Sequence, residues 1–469
     1  MNKYLNYYKK LFNNNFQIIH KILSKDNKDY FYLSYNVQMV NKDILNYTII
    51  PILNDLINSN EFDLLNSSLL EIEEFNKYNI KEIESKIYSG NLLIYSFKLD
   101  KMYSLNLAYF NIRTPSLDSN DIVYSGTKDN LIESLDINLS LIYRRIKSND
   151  LINEVITVGE LTKTRISILY LNNKIDNNIL NVLINKLKKL KIESLTSVSD
   201  LNTKIFDKPK LVPLTTYTSK VDLIELALLN NKIVLLIDGI PEGIVLPMSL
   251  FNFASFNDAI NEGVIITLFN KVFSFLGLFL SLFLLGLYTS IILYEPDLIP
   301  YNILINIYNS YKGIAVSGEL ELLIAYTFFL IFFHAGNKSL NGLSSSILII
   351  GSLLIGQVAV SSGFISQITL IIVAISIYSC FIISNNISLN ISFLFLQFIN
   401  FVSSLIFGFL GYLVSILLII IYLNSLESFE VPYLYPFTNL NFNKIKETFL
   451  SSNFIKRKEN KKWRKLYYY

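Results

Sequence analysis

The stretch SLNGLSSSILIIGSLLIGQVAVSSGFISQITLIIVAISIYSCFIISNNISLNISFLFLQFINFVSSLIFGFLGYLVSILLIIIYLNSL, residues 339–426, contains no Asp, Glu, Lys, Arg or His. A water-soluble chain of this length must place solvated charge somewhere along it, because polar surface has to meet water. The stretch therefore belongs in lipid, and its flanks, ordinary mixtures of acid and base, do not. Working backwards, Val272 to Tyr294 is a second uncharged run, long enough at about 1.5 Å per helical residue to cross a hydrocarbon core of about 30 Å. It is ended by Glu295-Pro296-Asp297-Leu298-Ile299-Pro300. Glu319 to Phe333 is apolar but shorter, with Glu319 and Glu321 at its start, and reads as a span, a re-entrant segment or an interfacial helix. Ser344 to Val360 and Gln367 to Ile383 read as an apolar hairpin joined at Ser361-Ser362-Gly363. Ile391 to Leu423 is too long for one ordinary span. It is split into an interfacial stretch holding Gln397 and Asn400 and a span from about Val402. This predicts a multi-pass membrane domain over 269–426 with about four spans and one extra short apolar helix.

The front of the chain is different. Through Asn270 it carries 29 of the 41 Lys plus Arg and 30 of the 38 Asp plus Glu, leaving 12 basic and 8 acidic residues behind it. Nine of those basic residues lie between Lys444 and Lys465. A near-neutral front gives no clustered cations for nucleic acid. The tail, 427–469, reads as a juxtamembrane basic segment held by anionic membrane lipids on the cytoplasmic side. The first ten residues lack the apolar core of a secretion signal, so the front is expected in the cytoplasm with the tail. One cysteine, Cys380, permits no disulfide within the chain, and two isolated histidines, His20 and His334, give no metal set. No cofactor is expected.

Within the front, residues 1 to about 30 read as a weakly specified basic arm. Helical spacing recurs from Val40 to Ile87, and strand-like runs follow at Leu92–Phe97 and Leu105–Ile112. An amphipathic helix is expected over Asp129–Lys147 from Leu131, Leu135, Leu139, Ile142 and Ile146. Thr164–Leu171 reads as a strand, Asn177–Ile192 as a helix, and Ile233–Ile237 and Ile244–Leu246 as strands about an Asp238-Gly239 turn. Strands alternating with helices give a mixed α/β region in two small parts, 1–112 and 113–268. Asp238 is a conceivable catalytic carboxylate, yet no partner carboxylate, His or nucleophile stands at a recognisable spacing from it. No phosphate loop, nucleophile elbow or paired Cys/His set is present, and the chain does not read as an enzyme.

In the back, Ser345, Ser352, Gly356, Ala359 and Gly363 recur at spacings of seven, four, three and four, which places them on one helical face. Such a face lets helices approach closely in lipid. Alternatively it lines a narrow water-filled path in an oligomer, with Gln357 as a polar edge.

Several segments resemble the A subunit of the GerA-type spore germination receptors. They are Arg113-Thr114-Pro115-Ser116, Asn138 to Lys147, Thr162 to Leu171, Val234 to Pro241, Glu295 to Pro300, Gly351 with Ile355-Gly356-Gln357, and Val431-Pro432-Tyr433-Leu434-Tyr435-Pro436-Phe437, in the family's order. Tyr124 to Lys128 and Gly313 to Ser317 depart from the family's glycine- and proline-rich patterns, and Tyr326 replaces a second glutamate after Glu321. The resemblance implies a multi-pass protein of the endospore inner membrane, acting in signal transduction with a transporter-like B subunit and a lipoprotein C subunit. It implies a homo-oligomeric ring forming a germinant-gated ion channel. By position, Ser345, Ser352, Gly356, Gln357 and Ala359 become pore-lining candidates, and Glu319 and Glu321 membrane-proximal coupling candidates. A secondary transporter binding its own solute and a structural scaffold without a pore are the competing readings.

Overall fold

The structure is a computed structural model that describes residues 17–26, 28–59, 72–75, 79–108, 129–190, 192–206, 210–256, 264–338, 342–384 and 386–439. Arg113–Ser116, Tyr124–Lys128 and the basic tail from Lys444 onward lie outside the described residues. The chain forms two units, Met1–Pro209 with Thr215–Pro247, and Lys210–Leu214 with Met248–Tyr469.

The first unit contains two five-stranded antiparallel sheets. One is built from β1 (Ile18–Lys25), β2 (Lys28–Asn36), β3 (Ile72–Phe75), β4 (Asn91–Ser96) and β5 (Lys101–Asn106), in the order β1-β2-β4-β5-β3. The expected basic arm is thus corrected over 18–30: these residues pair as β1 and β2, because aromatic and branched residues at Tyr30 to Leu33 favour a half-buried pleated surface. A helical run over 42–59, ending in α1 (Ile50–Ser59), packs Leu45, Ile49, Leu53, Leu56 and Ile57 into this sheet's core. Asn41 starts the run by accepting hydrogen bonds from the Asp43 and Ile44 amides. Helix α2 (Ile80–Ile87) precedes β4.

The second sheet holds β6 (Leu151–Val158), β7 (Thr164–Leu171), β8 (Thr216–Thr218), β9 (Ile233–Ile237) and β10 (Gly243–Leu246), in the order β6-β7-β9-β10-β8. Its helices are α3 (Leu135–Arg145), α4 (Asn177–Lys189), α5 (Val198–Ile205) and α6 (Val221–Leu229). Helix α3 begins six residues later than its apolar spacing predicts. Asn130 is drawn into a β-bridge with Lys220, and the Asn138 side chain bonds both the amide and the carbonyl of Ile132, so the backbone there is not helical. Stacked Tyr88 and Tyr143 rings, 5.7 Å apart, join the two sheets' helices, with the Tyr88 hydroxyl donating to Asn149.

The second unit is helical: α7 (Leu250–Phe256), α8 (Val264–Phe279) running through a π-turn (Leu280–Leu284) into α9 (Leu285–Tyr294), then α10 (Tyr301–Tyr311), α11 (Gly318–Lys338), α12 (Gly342–Ser361), α13 (Gln367–Ile383) and α14 (Ile387–Asn424). Its burial is inverted relative to a soluble bundle. Helix α13 turns Thr369, Val373, Ser376, Cys380 and Ile383 inward while Ile371, Ile375, Tyr378 and Ile382 face out. Polar and small residues mediating helix contacts beneath an apolar exterior is the pattern lipid imposes. Close approaches fit it: a Cβ on Gly277 would meet the Ser379 carbonyl at 2.9 Å.

Three described segments are long and apolar enough to cross a membrane: Leu268–Tyr294, Gly318–Gly336 and Ile387–Asn424. Glu319–Phe333, read as too short to be a certain span, is part of a 21-residue helix because the helix continues through His334 to Lys338. Helix α14 is not a straight rod. Gly408 has φ 59° and ψ −142°, a conformation open to glycine alone, and the chain reverses there. The Ser415 hydroxyl reaches Asn400 Oδ1 at 3.1 Å and the Ser403 hydroxyl the Gly411 carbonyl at 2.9 Å. In a continuous helix residues 400 and 415 would stand about 22 Å apart. The break therefore falls at Gly408 rather than near Val402. Tyr294 closes it, its ring against Gly408 and its hydroxyl on the Leu405 carbonyl (2.6 Å), which the break has deprived of its helical partner. Asn400 and Gln397 are fully buried rather than interfacial. The Asn400 amide donates to the Leu282 carbonyl (2.8 Å) inside the π-turn, where the widened ladder exposes an acceptor.

Beyond α14, β11 (Glu427–Ser428) and β12 (Val431–Pro432) form a short hairpin. The Val431-to-Phe437 motif is packed: Tyr433 is fully buried against Phe253 and its carbonyl accepts from the Leu250 amide, while Phe437 meets Phe251 and Phe275.

Candidate functional site: the loop junction at Glu321

Two connections meet at one end of the helical unit. The first, between α10 and α11, turns at Gly313 with φ +90°. The second, between α12 and α13, turns at Gly363 with φ +73°. The Ala315 amide donates to the Gly363 carbonyl at 2.9 Å, and a Cβ on Gly363 would stand 2.5 Å from the Gly313 carbonyl oxygen. Backbone touches backbone here, which only glycine permits.

Glu321 fastens the junction. It lies in the first turn of α11, is fully buried, and its Oε1 accepts from the Ser366 amide at 2.8 Å. Ser366 is the N-cap of α13, its hydroxyl receiving the Thr369 amide at 3.2 Å. The carboxylate is thus held at the positive ends of two helices, whose partial charges favour it without neutralising it. Ser366 links the carboxylate to hydroxyls from three further positions, Thr369, Tyr288 and Tyr311. The Ser366 hydroxyl is 2.9 Å from Thr369 Oγ1, to which Tyr288 stands at 3.2 Å and Tyr311 at 3.4 Å. Glu321 Oε2 is buried and has no hydrogen-bond partner among the described residues. A polar cleft of about 410 Å³ opens beside the junction, lined among others by Asn309, Lys312, Ser362, Ser366 and Gln367.

The sequence-derived candidates distribute unevenly about this centre. Glu321 forms it, whereas Glu319, two residues earlier, is exposed. Ala359 is buried at the junction, its carbonyl receiving the Phe364 and Ile365 amides. Gly356 points outward, with nothing within 4 Å of an added Cβ, and Gln357 is exposed beside it. Ser352 is half-buried one turn earlier. Ser345 lies on the same helix, its side chain outside the described set. The small-residue stripe is therefore divided: its end packs inside the chain and its middle faces away from it. Sequence reading did not single out Ser366, Thr369, Tyr288 or Tyr311. The Ser-x-x-Thr spacing after Gly363 is a helix-start signal for two of them, and the tyrosines carried none.

In the other unit Asp238 is bound structurally. Its Oδ2 accepts from Arg165 Nη2 (2.9 Å) and Nε (3.1 Å), and its Oδ1 from the Leu135 amide (3.2 Å), so it begins α3 and anchors a strand end. Arg145 is gripped by Asp222, Glu225 and Asp129; burial lowers its guanidinium pKa, but Asp222 and Glu225 outweigh that and raise it. Among the described residues no three His, Cys, Asp or Glu side chains group as a metal set.

A family model described as Bacillus/Clostridium GerA spore germination protein matches residues 6–463. Spore germination protein XA of Bacillus anthracis is 32% identical over 314 residues, covering 67% of this chain and 64% of that protein, just under two thirds of its length. Spore germination protein KA of Bacillus subtilis (strain 168) is 26% identical over 365 residues, covering 77% of this chain and 67% of its own. Spore germination protein GerQA of Bacillus cereus is 26% identical over 419 residues, covering 87% and 81%. Among solved structures, the N-terminal domain of the A subunit of the Bacillus megaterium spore germinant receptor GerK3 aligns at 20% identity with a TM-score of 0.39, covering 52% of this chain and 92% of that domain.

Proposed function

This chain belongs to the Bacillus/Clostridium GerA spore germination protein family, and we propose that it is the A subunit of a nutrient-responsive germination receptor that assembles into a ring and forms a germinant-gated ion path. In this reading α12 lines the path, with Ser345, Ser352, Gly356 and Gln357 toward its axis. Ala359 belongs to the inner, packed end of the same helix. The observation that carries the reading is the outward-facing Gly356: a helix in lipid gains nothing from glycine on a lipid face, whereas close approach of another copy or a narrow lumen requires it. The wall offers no charge, so selectivity would rest on hydroxyl and backbone groups, width and the charges at the mouths.

The Glu321 junction supplies the coupling. It ties the start of α13, which follows α12 across the Gly363 turn, to the start of α11 through hydrogen bonds rather than apolar packing, and such contacts have two discrete states, made and broken. Partner subunits, a transporter-like B and a lipoprotein C, would bias those states from the cytoplasmic side of the spore inner membrane.

The test is substitution of Gly356 or Ser352 by Leu in spores. Ion release should change while receptor assembly is retained; normal germination and conduction in both variants would remove α12 from the path. A second reading, a secondary transporter, is favoured by the broken helix at Gly408 beside buried Asn400 and Gln397, since broken helices with polar residues at depth build solute sites. Solute uptake by the purified chain alone in liposomes would select it, and ion flux without uptake would reject it.

A further inference from the structure

We propose that the oxygen cage at the junction, Glu321 with Ser366, Thr369, Tyr288 and Tyr311, binds one small inorganic monovalent cation, sodium or potassium. A carboxylate has about four lone-pair positions, and a buried polar atom left without a partner is costly. Glu321 Oε1 is satisfied by the Ser366 amide, but Oε2 is buried and unpartnered among the described residues. The neighbouring hydroxyls pair with one another, Ser366 and both tyrosines with Thr369 and Tyr288 with Tyr311, which leaves Oε2 as the unsatisfied oxygen of the cluster. Tyr288 and Tyr311 stand 3.2 and 3.4 Å from Thr369 Oγ1, beyond the ~2.7–2.8 Å of a good hydroxyl–hydroxyl hydrogen bond. These oxygens, from α9, α10 and α13, are linked to the carboxylate through Ser366 and supply the neutral ligands of the proposed site.

The donor set selects the class of cation. All the side-chain atoms are hard oxygens, without imidazole or thiolate, which excludes sites built for transition metals. A single carboxylate, partly offset by two helix ends, suits one positive charge rather than the several carboxylates typical of a calcium site. An organic ammonium does not fit, because Glu321 is fully buried and, unlike Ser366, does not line the cleft. That cleft is the entry route, and the ion would pass Lys312 on its wall. The site stands on the junction geometry and does not require conduction through α12.

The experiment follows the thermal unfolding midpoint of the purified full chain in detergent micelles. NaCl or KCl is titrated against N-methyl-D-glucamine chloride at constant ionic strength. Binding to the folded state alone predicts a saturable rise in midpoint with sodium or potassium over the organic cation. Glu321→Gln should abolish that difference, and Tyr311→Phe and Thr369→Val should each raise the concentration giving half the effect about tenfold, equivalent to ~1.4 kcal/mol. Lys312→Gln should lower it. Identical midpoints in all three salts, or an undiminished shift in Glu321→Gln, overturns the proposal. Should Glu321→Gln not fold, the Tyr288→Phe/Tyr311→Phe pair carries the same test, and an unchanged titration there overturns it equally. Flux through liposomes is read separately: a cation-dependent midpoint without flux removes the ion path and leaves the site, and flux without a cation-dependent midpoint removes the site.

Discussion

Replacing Gly286 by Ala should destabilise the helical unit far more than the same change at Gly356. At Gly286 the added Cβ would stand 2.3 Å from Asn400 Oδ1 and 2.9 Å from both Asn400 Cγ and Ser404 Oγ. Asn400 cannot retreat freely, because its amide nitrogen holds the Leu282 carbonyl at 2.8 Å and its oxygen takes the Ser415 hydroxyl at 3.1 Å. Overpacking of this kind costs about 1–3 kcal/mol. Loosening two interhelical hydrogen bonds adds ~0.6 kcal/mol each, for a total of roughly 2–4 kcal/mol from those principles. At Gly356 nothing lies within 4 Å, so Ala should be neutral or gain up to ~1 kcal/mol of helix propensity in the isolated chain. Thermal unfolding of both variants in detergent, at a chain concentration too low for assembly, measures the contrast. If Gly286→Ala unfolds with the parent chain, or Gly356→Ala falls as far as Gly286→Ala, the packing between α9 and the first arm of α14 is wrong.

Three further outcomes are expected in the first unit. Asp238→Ala removes the acceptor of the Leu135 amide at the start of α3 and the partner of Arg165; loss of a cap predicts about 1 kcal/mol by denaturant titration, and unchanged stability would reopen a chemical role for the residue. Burial, and secondarily Asp150, raise the Glu84 pKa. The folded state then holds this proton at pH values where the unfolded chain has lost it, so the contribution falls as pH rises through and just above the usual carboxylate range. Glu84→Gln should therefore raise the unfolding midpoint at pH 7 and leave it unchanged near pH 4, a pattern that an equal shift at both values would contradict. Lys163 has φ +45° in the β6–β7 connection; Lys163→Gly should stabilise by about 1 kcal/mol, since the left-handed conformation costs a non-glycine residue ~1–2 kcal/mol, and a lowered midpoint would refute the assigned turn.

Much of the first unit was legible because its signals are short-range. Thr164–Leu171 and Ile233–Ile237 are strands over the very residues their apolar runs mark, and Asp238-Gly239 turns between strands with Gly239 at φ +87°. Apolar spacing extends the amphipathic helix to Asp129 because Leu131 is buried without being helical: the Asn138 side chain and the Asn130–Lys220 bridge compete for that backbone. The arm at 18–30 pairs as strands despite its charges because Lys21 and Lys25 lie on the edge strand β1 and Lys28 at the exposed start of β2, beside that strand's buried aromatic residues. In the helical unit, Gln397 and Asn400 look interfacial in a linear reading because amides are costly in hydrocarbon; burial between helices is the other way to shield them.

The sequence by itself determined that 88 consecutive residues without charge belong in lipid, and that a mixed α/β region precedes them. Both follow from local sums: transfer free energy accumulates residue by residue, and strand or helix periodicity needs only neighbours. Only the tertiary structure decided that α14 folds back at Gly408, that Gly286 rather than Gly356 is the crowded glycine, and that Glu321 meets the Ser366 amide 45 residues away. Those depend on which backbone groups a reversal or a helix start leaves unpaired in space, and on which side chain arrives to satisfy them, a matter of three-dimensional juxtaposition that no linear spacing encodes.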